Sequence, residues 1–280
     1  MKLADVQFLA GKAAEIRLNL LKMIFKAKMG HTGSSLSDTD ILTTLYYDVM
    51  QLRVDEPDWE ERDRFILSKG HAVESYYCIL ADMGFIDKEE LNTFCQYQTR
   101  LIGHPNNKVA GIEMNTGALG HGLSIAVGMA KAAKMDNKDY RVFVLMGDGE
   151  QAEGSVWEAA MAGAHFGLDN LIGIIDRNRL QITGATEEVM GIEPLVGKWR
   201  NFGWQVLEID GHNYGELKKC LSSTPVEEGK PTMILANTIK GKGVSFIENK
   251  AGWHHRVPSA SELNQAVEEL SPLIGVEIDG

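Results

Sequence analysis

This 280-residue sequence lacks any apolar run approaching the roughly 18 residues that a membrane-spanning helix needs, and its N-terminus has no signal-peptide hydrophobic segment. It has no basic block: 28 Lys and Arg stand against 39 Asp and Glu, a formal net charge of −11. These absences argue against a membrane protein, a nucleic-acid-binding protein and a binder of anionic membrane surfaces. Cysteine is scarce. Cys78, Cys95 and Cys220 are odd in number and share no metal-ligand spacing, which predicts reduced thiols in a cytoplasmic protein. No internal repeat, low-complexity tract or proline-rich linker divides the chain, so a single domain over residues 1–280 is expected. At 44% hydrophobic content the chain can bury one large core.

What is present changes texture along the chain. Residues 1–115 read as mainly helical, with an amphipathic stripe over 4–28 (Phe8, Ile16, Leu20, Leu21, Ile24) and further helices over 38–50, 73–85 and 87–97. Residues 116–258 alternate between strands and helices. The continuous apolar runs at 140–146 and 171–176 predict strands buried on both faces, and 204–210 and 231–239 are two more candidates. Helices are expected between them at 123–135, 154–166 and 213–222. Alternation of this kind predicts an α/β fold with a mostly parallel sheet flanked by helices. A last helix over 259–271 is announced by Ser259 and Glu262 at capping-box spacing.

In such sheets ligands sit beyond the carboxyl ends of the strands, and two polar clusters fall there. "GDGE" (147–150) follows one buried strand and "DRN" (176–178) the next. Asp148 and Asn178 are thus brought to neighbouring strand ends. A carboxylate, an amide carbonyl and a backbone carbonyl suit a hard divalent cation, Mg²⁺ or alternatively Ca²⁺ or Mn²⁺, and Mg²⁺ usually completes its shell with water and phosphate oxygens. Gly147 and Gly149 are expected to let the backbone turn sharply and approach a ligand. The helix starting near Gly154, and a second glycine-rich turn "TGALGHGL" (116–123), offer free N–H groups to an anion.

With its flanks, the "GDG"…Asn pair resembles the thiamine diphosphate signature of the transketolase family. The ordered series "GHTGSSLS" (30–37), "LSKGHAVESYY" (67–77), "IGHPNN" (102–107), "NTGALGHGLSIAVGMA" (115–130), "GDGEQAEGSVWEA" (147–159), "DRNRLQITG" (176–184) and "IKGKGVSFIENKAGWH" (239–254) carries the resemblance over nearly the whole chain. It implies thiamine diphosphate with Mg²⁺ as cofactors, and Asp148, Asn178 and the Leu180 carbonyl as metal ligands. Gly117, Leu119, Gly147 and Gly149 would line the cofactor pocket.

The resemblance also implies that His71 and His254 lie near the diphosphate and the reacting carbon, while His31 and His104 contact the sugar hydroxyls. Imidazole suits such work because its ordinary pKa lies near neutrality. Glu153 and Glu158 resemble a pair of glutamates in an acid network close to a dimer interface. Glu150 is expected to face solvent or to stand behind the metal, with no essential role. His121 stands where many relatives carry glutamine, Thr32 replaces a usual proline, and His165, His212 and His255 read as structural or surface residues.

The activity implied is transfer of a two-carbon ketol unit from a ketose phosphate to an aldose phosphate, as in the pentose phosphate pathway. In that family the glutamate that activates thiamine, and the groups that bind substrate phosphate, belong to a second domain following this one. The chain therefore resembles the N-terminal subunit of a split transketolase, working with a C-terminal subunit in an α₂β₂ heterotetramer; a piece of a longer enzyme is the other reading, against which "ELSPLIGVEIDG" reads as a natural tail. Alternatives are the α subunit of a 2-oxo-acid dehydrogenase, which lacks this histidine set, a specialised transketolase acting on a sulfonated or branched sugar, and a binding protein that has lost the chemistry.

Overall fold

Five strands form one parallel sheet in the computed structural model, which describes residues 4–274. They are β1 (Arg64–Leu67), β2 (Val142–Gly147), β3 (Leu171–Arg177), β4 (Gln205–Asp210) and β5 (Thr232–Asn237), in spatial order β1-β2-β3-β5-β4. The three central strands are buried on both faces, which is why their sequences are continuous apolar runs. β4 lies at an edge, and there burial alternates residue by residue.

Two helical layers cover the sheet. On one face lie α1 (Val6–Ala27), α2 (Thr32–Thr44), α3 (Val73–Met83), α8 (Tyr214–Ser222) and α9 (Ala260–Leu270), packed on Phe143, Leu145, Ile172, Ile174 and Ile234. On the other lie α4 (Gly122–Met135), α5 (Gly154–His165) and α7 (Leu195–Asn201), packed on Val142, Val144, Met146, Ile175 and Met233. The two lists interleave along β2 as the period-2 pleat requires. A single-turn helix α6 (Thr186–Val189) follows β3. At α9 both halves of the capping box form between Ser259 and Glu262.

Beyond the unanticipated helices α6 and α7, the structure departs from the sequence reading in three places. β1 lies inside the part read as helical; only Phe65, Ile66 and Leu67 are apolar, too few for a periodic signal, and pairing with β2 makes the strand. Residues Lys88–Thr93 form a 3-10 helix rather than an α-helix. The helix expected over 38–50 begins six residues earlier, at Thr32, and its end tightens into a π-turn over Leu45–Val49. All 13 residues of α2 are buried although seven are Ser or Thr and two are Asp. Their polar groups are satisfied sideways: Ser35 donates to Glu74, Ser37 to Asp176, and Asp40 accepts two bonds from Arg17 at 2.8 Å. Tertiary hydrogen bonding, not apolar periodicity, holds this helix inside.

Candidate functional site

The carboxyl ends of β1, β2, β3 and β5 open onto one cavity of about 510 Å³, within the range typical of small-molecule sites. Of the sequence-nominated residues, His31, His71, Gly117, Leu119, Gly147, Asp148, Gly149, Glu153, Asn178, Leu180 and His254 all line it. His104 stands just behind: its ring lies 5.8 Å from that of His31, and a Cβ on Gly117 would sit 2.6 Å from its Cδ2. Gly117 also has φ +139°, so two separate constraints require glycine there. Glu158 does not reach the cavity; it is exposed on α5. Glu153 occupies the N-cap of α5 but makes no side-chain cap bond.

The floor is built on a buried ion cluster. The Lys69 ammonium, just past β1, lies 2.6 Å from Asp176 and 3.0 Å from Asp38. Burial and the neighbouring Asp176 charge push the Asp38 carboxyl up to about 7, with Lys69 opposing. Burial also opposes the Asp176 charge, but attraction and hydrogen bonding from Lys69 prevail and hold its carboxyl below the usual range. One cation between two carboxylates thus leaves one of them the readier proton acceptor. Asn178 is oriented by this cluster, since its amide N–H donates to Asp176 at 3.2 Å and to Ser37 at 3.3 Å. Its carbonyl oxygen accepts from the Leu180 N–H at 3.1 Å.

Asp148 and the loop after β3 are tied together. One carboxylate oxygen accepts from the Arg179 N–H at 2.6 Å and from Arg177 at 2.9 Å; the other accepts from the Gly149 N–H at 2.7 Å. Burial raises its pKa and the Arg177 hydrogen bond works against that rise. The oxygens of Asp148, Asn178 and Leu180 are therefore held on two linked turns, as a hard cation requires. Gly147 and Gly149 serve differently from expectation. Neither adopts a left-handed backbone. Gly149 instead keeps space open, as a Cβ there would come within 3.0 Å of Gln181.

Three residues outside the nominated set belong to the site. Lys240, after β5, is buried and donates to the Leu180 carbonyl at 3.2 Å and to His254 Nδ1 at 3.0 Å. Burial, then repulsion from Lys69, pushes its pKa down to about 8. The signal was the lysine beside glycine in "IKGKG", a strand-end position like that of "SKGHA". Glu150 overturns its reading as a solvent-facing acid: only 2% exposed, it accepts from Ser68, from the Gly120 N–H at 2.8 Å and from the Gly147 N–H at 3.0 Å. It pins both glycine-rich turns to the end of β1. Burial raises its pKa against those hydrogen bonds. His255, read as structural or surface, is exposed yet lines the cavity, its ring 4.4 Å from that of His31.

The histidines cluster as one wall of the same cavity. Ring centroids are 5.4 Å apart for His31 and His71, 5.0 Å for His71 and His254, and 5.7 Å for His31 and His254. His71 Nε2 meets the Ser34 hydroxyl at 3.2 Å. Burial, followed by nearby cations, pushes His71 well below its ordinary pKa and His254 down to about 3. Both imidazoles are neutral at pH 7, free to accept as well as donate. Two buried polar atoms from cavity-lining residues, His31 Nδ1 and Gln181 Nε2, have no hydrogen-bond partner. Together with the Lys240 ammonium, these unpartnered atoms face the cavity as a polar wall suited to an anion carrying several oxygens. Hard oxygen ligands, one lysine ammonium and neutral imidazoles around one cavity fit a metal-bound diphosphate.

The remaining nominated histidines separate cleanly. His212 donates from Nδ1 to Asp40 at 2.7 Å and accepts the Ile239 N–H at Nε2 at 2.8 Å, a structural position. His165 is exposed on α5, and His121 is exposed with Nδ1 3.0 Å from the Leu119 carbonyl. Thr32 starts α2 without strain, donating to the Arg256 carbonyl at 2.8 Å.

The sequence profile of the family described as "Transketolase, thiamine diphosphate binding domain" matches residues 10–272. Among characterised relatives, an apulose-4-phosphate transketolase subunit of Phocaeicola vulgatus is 50% identical over 270 residues, covering 96% of each chain. A 6-deoxy-6-sulfo-D-fructose transketolase subunit of a Clostridium species is 44% identical, covering 92% of this chain and 94% of its own. Homo sapiens transketolase is 35% identical, with 95% of this chain matched to 42% of it. The crystal structure of transketolase from Campylobacter jejuni superposes with a TM-score of 0.90 at 32% identity, over 96% of this chain and 43% of that one. Against such longer relatives the chain spans about two fifths of the length.

Proposed function

Because this chain belongs to the transketolase family and carries its thiamine diphosphate-binding domain, we propose that it is the subunit of a two-chain transketolase that holds the metal–diphosphate end of the cofactor. The carrying observation is the convergence of Asp148, Asn178 and the Leu180 carbonyl with Lys240 and the histidine wall in one cavity. Asp148, Asn178 and Leu180 would hold Mg²⁺, or Ca²⁺ or Mn²⁺ in its place. Lys240, His71 and His254 would face the diphosphate, with Gly117, Leu119 and Gly149 keeping the walls close without crowding it. When bound, thiamine diphosphate would supply a nucleophilic carbon and an electron sink. His31 and His104 orient the sugar hydroxyls, and the neutral His71 and His254 can each accept a proton at one ring nitrogen or donate a hydrogen bond from the other.

The catalytic glutamate that activates thiamine is assigned to a separate C-terminal subunit, in an α₂β₂ assembly. Glu153 at the cavity edge and Glu158 on α5 are placed at the contact between subunits. The donor is a ketose bearing an anionic group, a phosphate in the first instance. The higher identity to an apulose-4-phosphate transketolase subunit than to full-length transketolase makes apulose 4-phosphate the first donor to test, with the sulfonated fructose second.

The test is reconstitution. Mixed with a C-terminal transketolase subunit, Mg²⁺ and thiamine diphosphate, the chain should transfer a two-carbon unit to an aldose phosphate, and neither chain should do so alone. Turnover by this chain alone, or no cofactor binding by the mixture, would overturn the proposal.

A further inference from the structure

The hard-cation ligands use oxygen on the floor of the cavity; its mouth is lined with nitrogen. One ring nitrogen from each of His31, His254 and His255 lies within 4.8 Å of the others. The three rings pack as a triangle, with centroids 4.4 Å apart for His31 and His255, 4.8 Å for His254 and His255, and 5.7 Å for His31 and His254. All three line the cavity. No hydrogen bond holds either ring nitrogen of His31, whose Nδ1 lies 3.8 Å from the buried Glu74 carboxylate.

We propose that His31, His254 and His255 form a second metal site, for a borderline transition cation such as Zn²⁺, distinct from the oxygen site of Asp148, Asn178 and Leu180. Three imidazoles with an open fourth position suit Zn²⁺ or Co²⁺ and are poor ligands for Mg²⁺. Zinc binds imidazole nitrogen at about 2.0–2.1 Å, so the nitrogens must close from the separation seen. Part of the move falls on His255, which is exposed, and part on His254, which must part from Lys240.

His254 uses Nδ1 toward Lys240, leaving Nε2 for the metal. In the neutral ring that nitrogen must be the unprotonated one, so the proton moves to Nδ1 and Lys240 turns to its other acceptor, the Leu180 carbonyl. No net charge is created on the protein. An ion held here stands across the mouth of the cavity and blocks sugar entry. That consequence rests on the ketol-transfer reading; the binding itself does not.

The test needs no turnover. The full chain, with saturating Mg²⁺ present, is titrated with Co²⁺ and followed by its visible absorption, and Zn²⁺ is then used to displace it. Expected is one Co²⁺ per chain with the intense band of a low-coordinate imidazole site, displaced by Zn²⁺. His255→Asn, an exposed change, should weaken Co²⁺ binding by about tenfold or more, since even indirect partners of a metal ligand are worth 10–100-fold. Asp148→Asn should leave the Co²⁺ titration as in the wild type. Equal Co²⁺ affinity in His255→Asn and wild type, or loss of the band in Asp148→Asn, would overturn the second site while leaving the proposed function standing.

Discussion

Asp148 and Glu150 stand two positions apart on the same turn and do different work. Asp148 has one oxygen on each of two linked turns, where a cation can gather them; Glu150 is a structural clamp whose three donors would be left without an acceptor if it were removed. Glu150→Ala should therefore lower stability by about 2–5 kcal/mol, because each buried donor left unpaired costs about 1–3 kcal/mol. Thermal melting of the free chain reads this directly. Asp148→Asn keeps the shape and most of the hydrogen bonds, so its main effect should be a loss of Mg²⁺-dependent thiamine diphosphate retention of about tenfold or more. If both variants lost cofactor equally at equal stability, the metal ligand would be wrongly assigned. Lys240→Met should weaken binding of inorganic pyrophosphate to the free chain by about tenfold, the value of one charge-assisted contact. Isothermal titration would show it, and unchanged affinity would remove Lys240 from the anion site.

At the scale of elements, α2 is the unusual piece, a helix buried on every side and fastened by polar groups. Arg17 of α1 reaches Asp40 of α2, and His212 and Tyr214, which follow β4, close on the same carboxylate. Burial opposes charge on Asp40, but the Arg17 guanidinium and the bonds from His212 and Arg17 prevail and hold its carboxyl far below the ordinary 3.8. The unfolded chain then binds a proton at a pH where the fold does not. The stability Asp40 contributes is full above about pH 4 and is lost as pH falls from there toward the folded value. Asp40→Asn should cost about 3–5 kcal/mol near neutrality, since it leaves the Arg17 charge buried and unpaired. Its melting temperature should also fall less steeply than that of the wild type below pH 4. Parallel acid limbs would place the acid sensitivity in other carboxylates.

At the scale of the whole molecule, the cavity faces outward at the carboxyl edge of the sheet, and α5 leads away from its rim carrying Glu153, Glu158 and the exposed Met161. Among the described residues no helix is long and apolar enough to cross a membrane. If the face of α5 is where a partner chain docks, Met161→Arg should leave the stability of the free chain within about 0.5 kcal/mol of wild type, as surface changes usually do, and abolish co-elution with the C-terminal subunit. Co-elution that survives the change would move the interface elsewhere.

Much of this protein was determined by local sequence. The central strands were legible because burial on both faces forces continuous apolar runs, and α9 because Ser259 and Glu262 satisfy each other three residues apart. That Asp148, Asn178, His31, His71 and His254 share one cavity was legible because two strand ends carry the acid and the amide, and because the histidines lie in motifs that resemble those of the transketolase family. What only the tertiary structure decided are features made by partners distant in sequence. β1 is a strand because β2 pairs with it, and α2 is buried because Glu74, Asp176 and Arg17 meet its hydroxyls and acids. Glu150 became a clamp, Lys240 a pocket cation and His255 a third imidazole for the same reason. A side chain's type is written in the sequence, but its partner, and hence its charge and its work, is fixed only when the chain closes on itself.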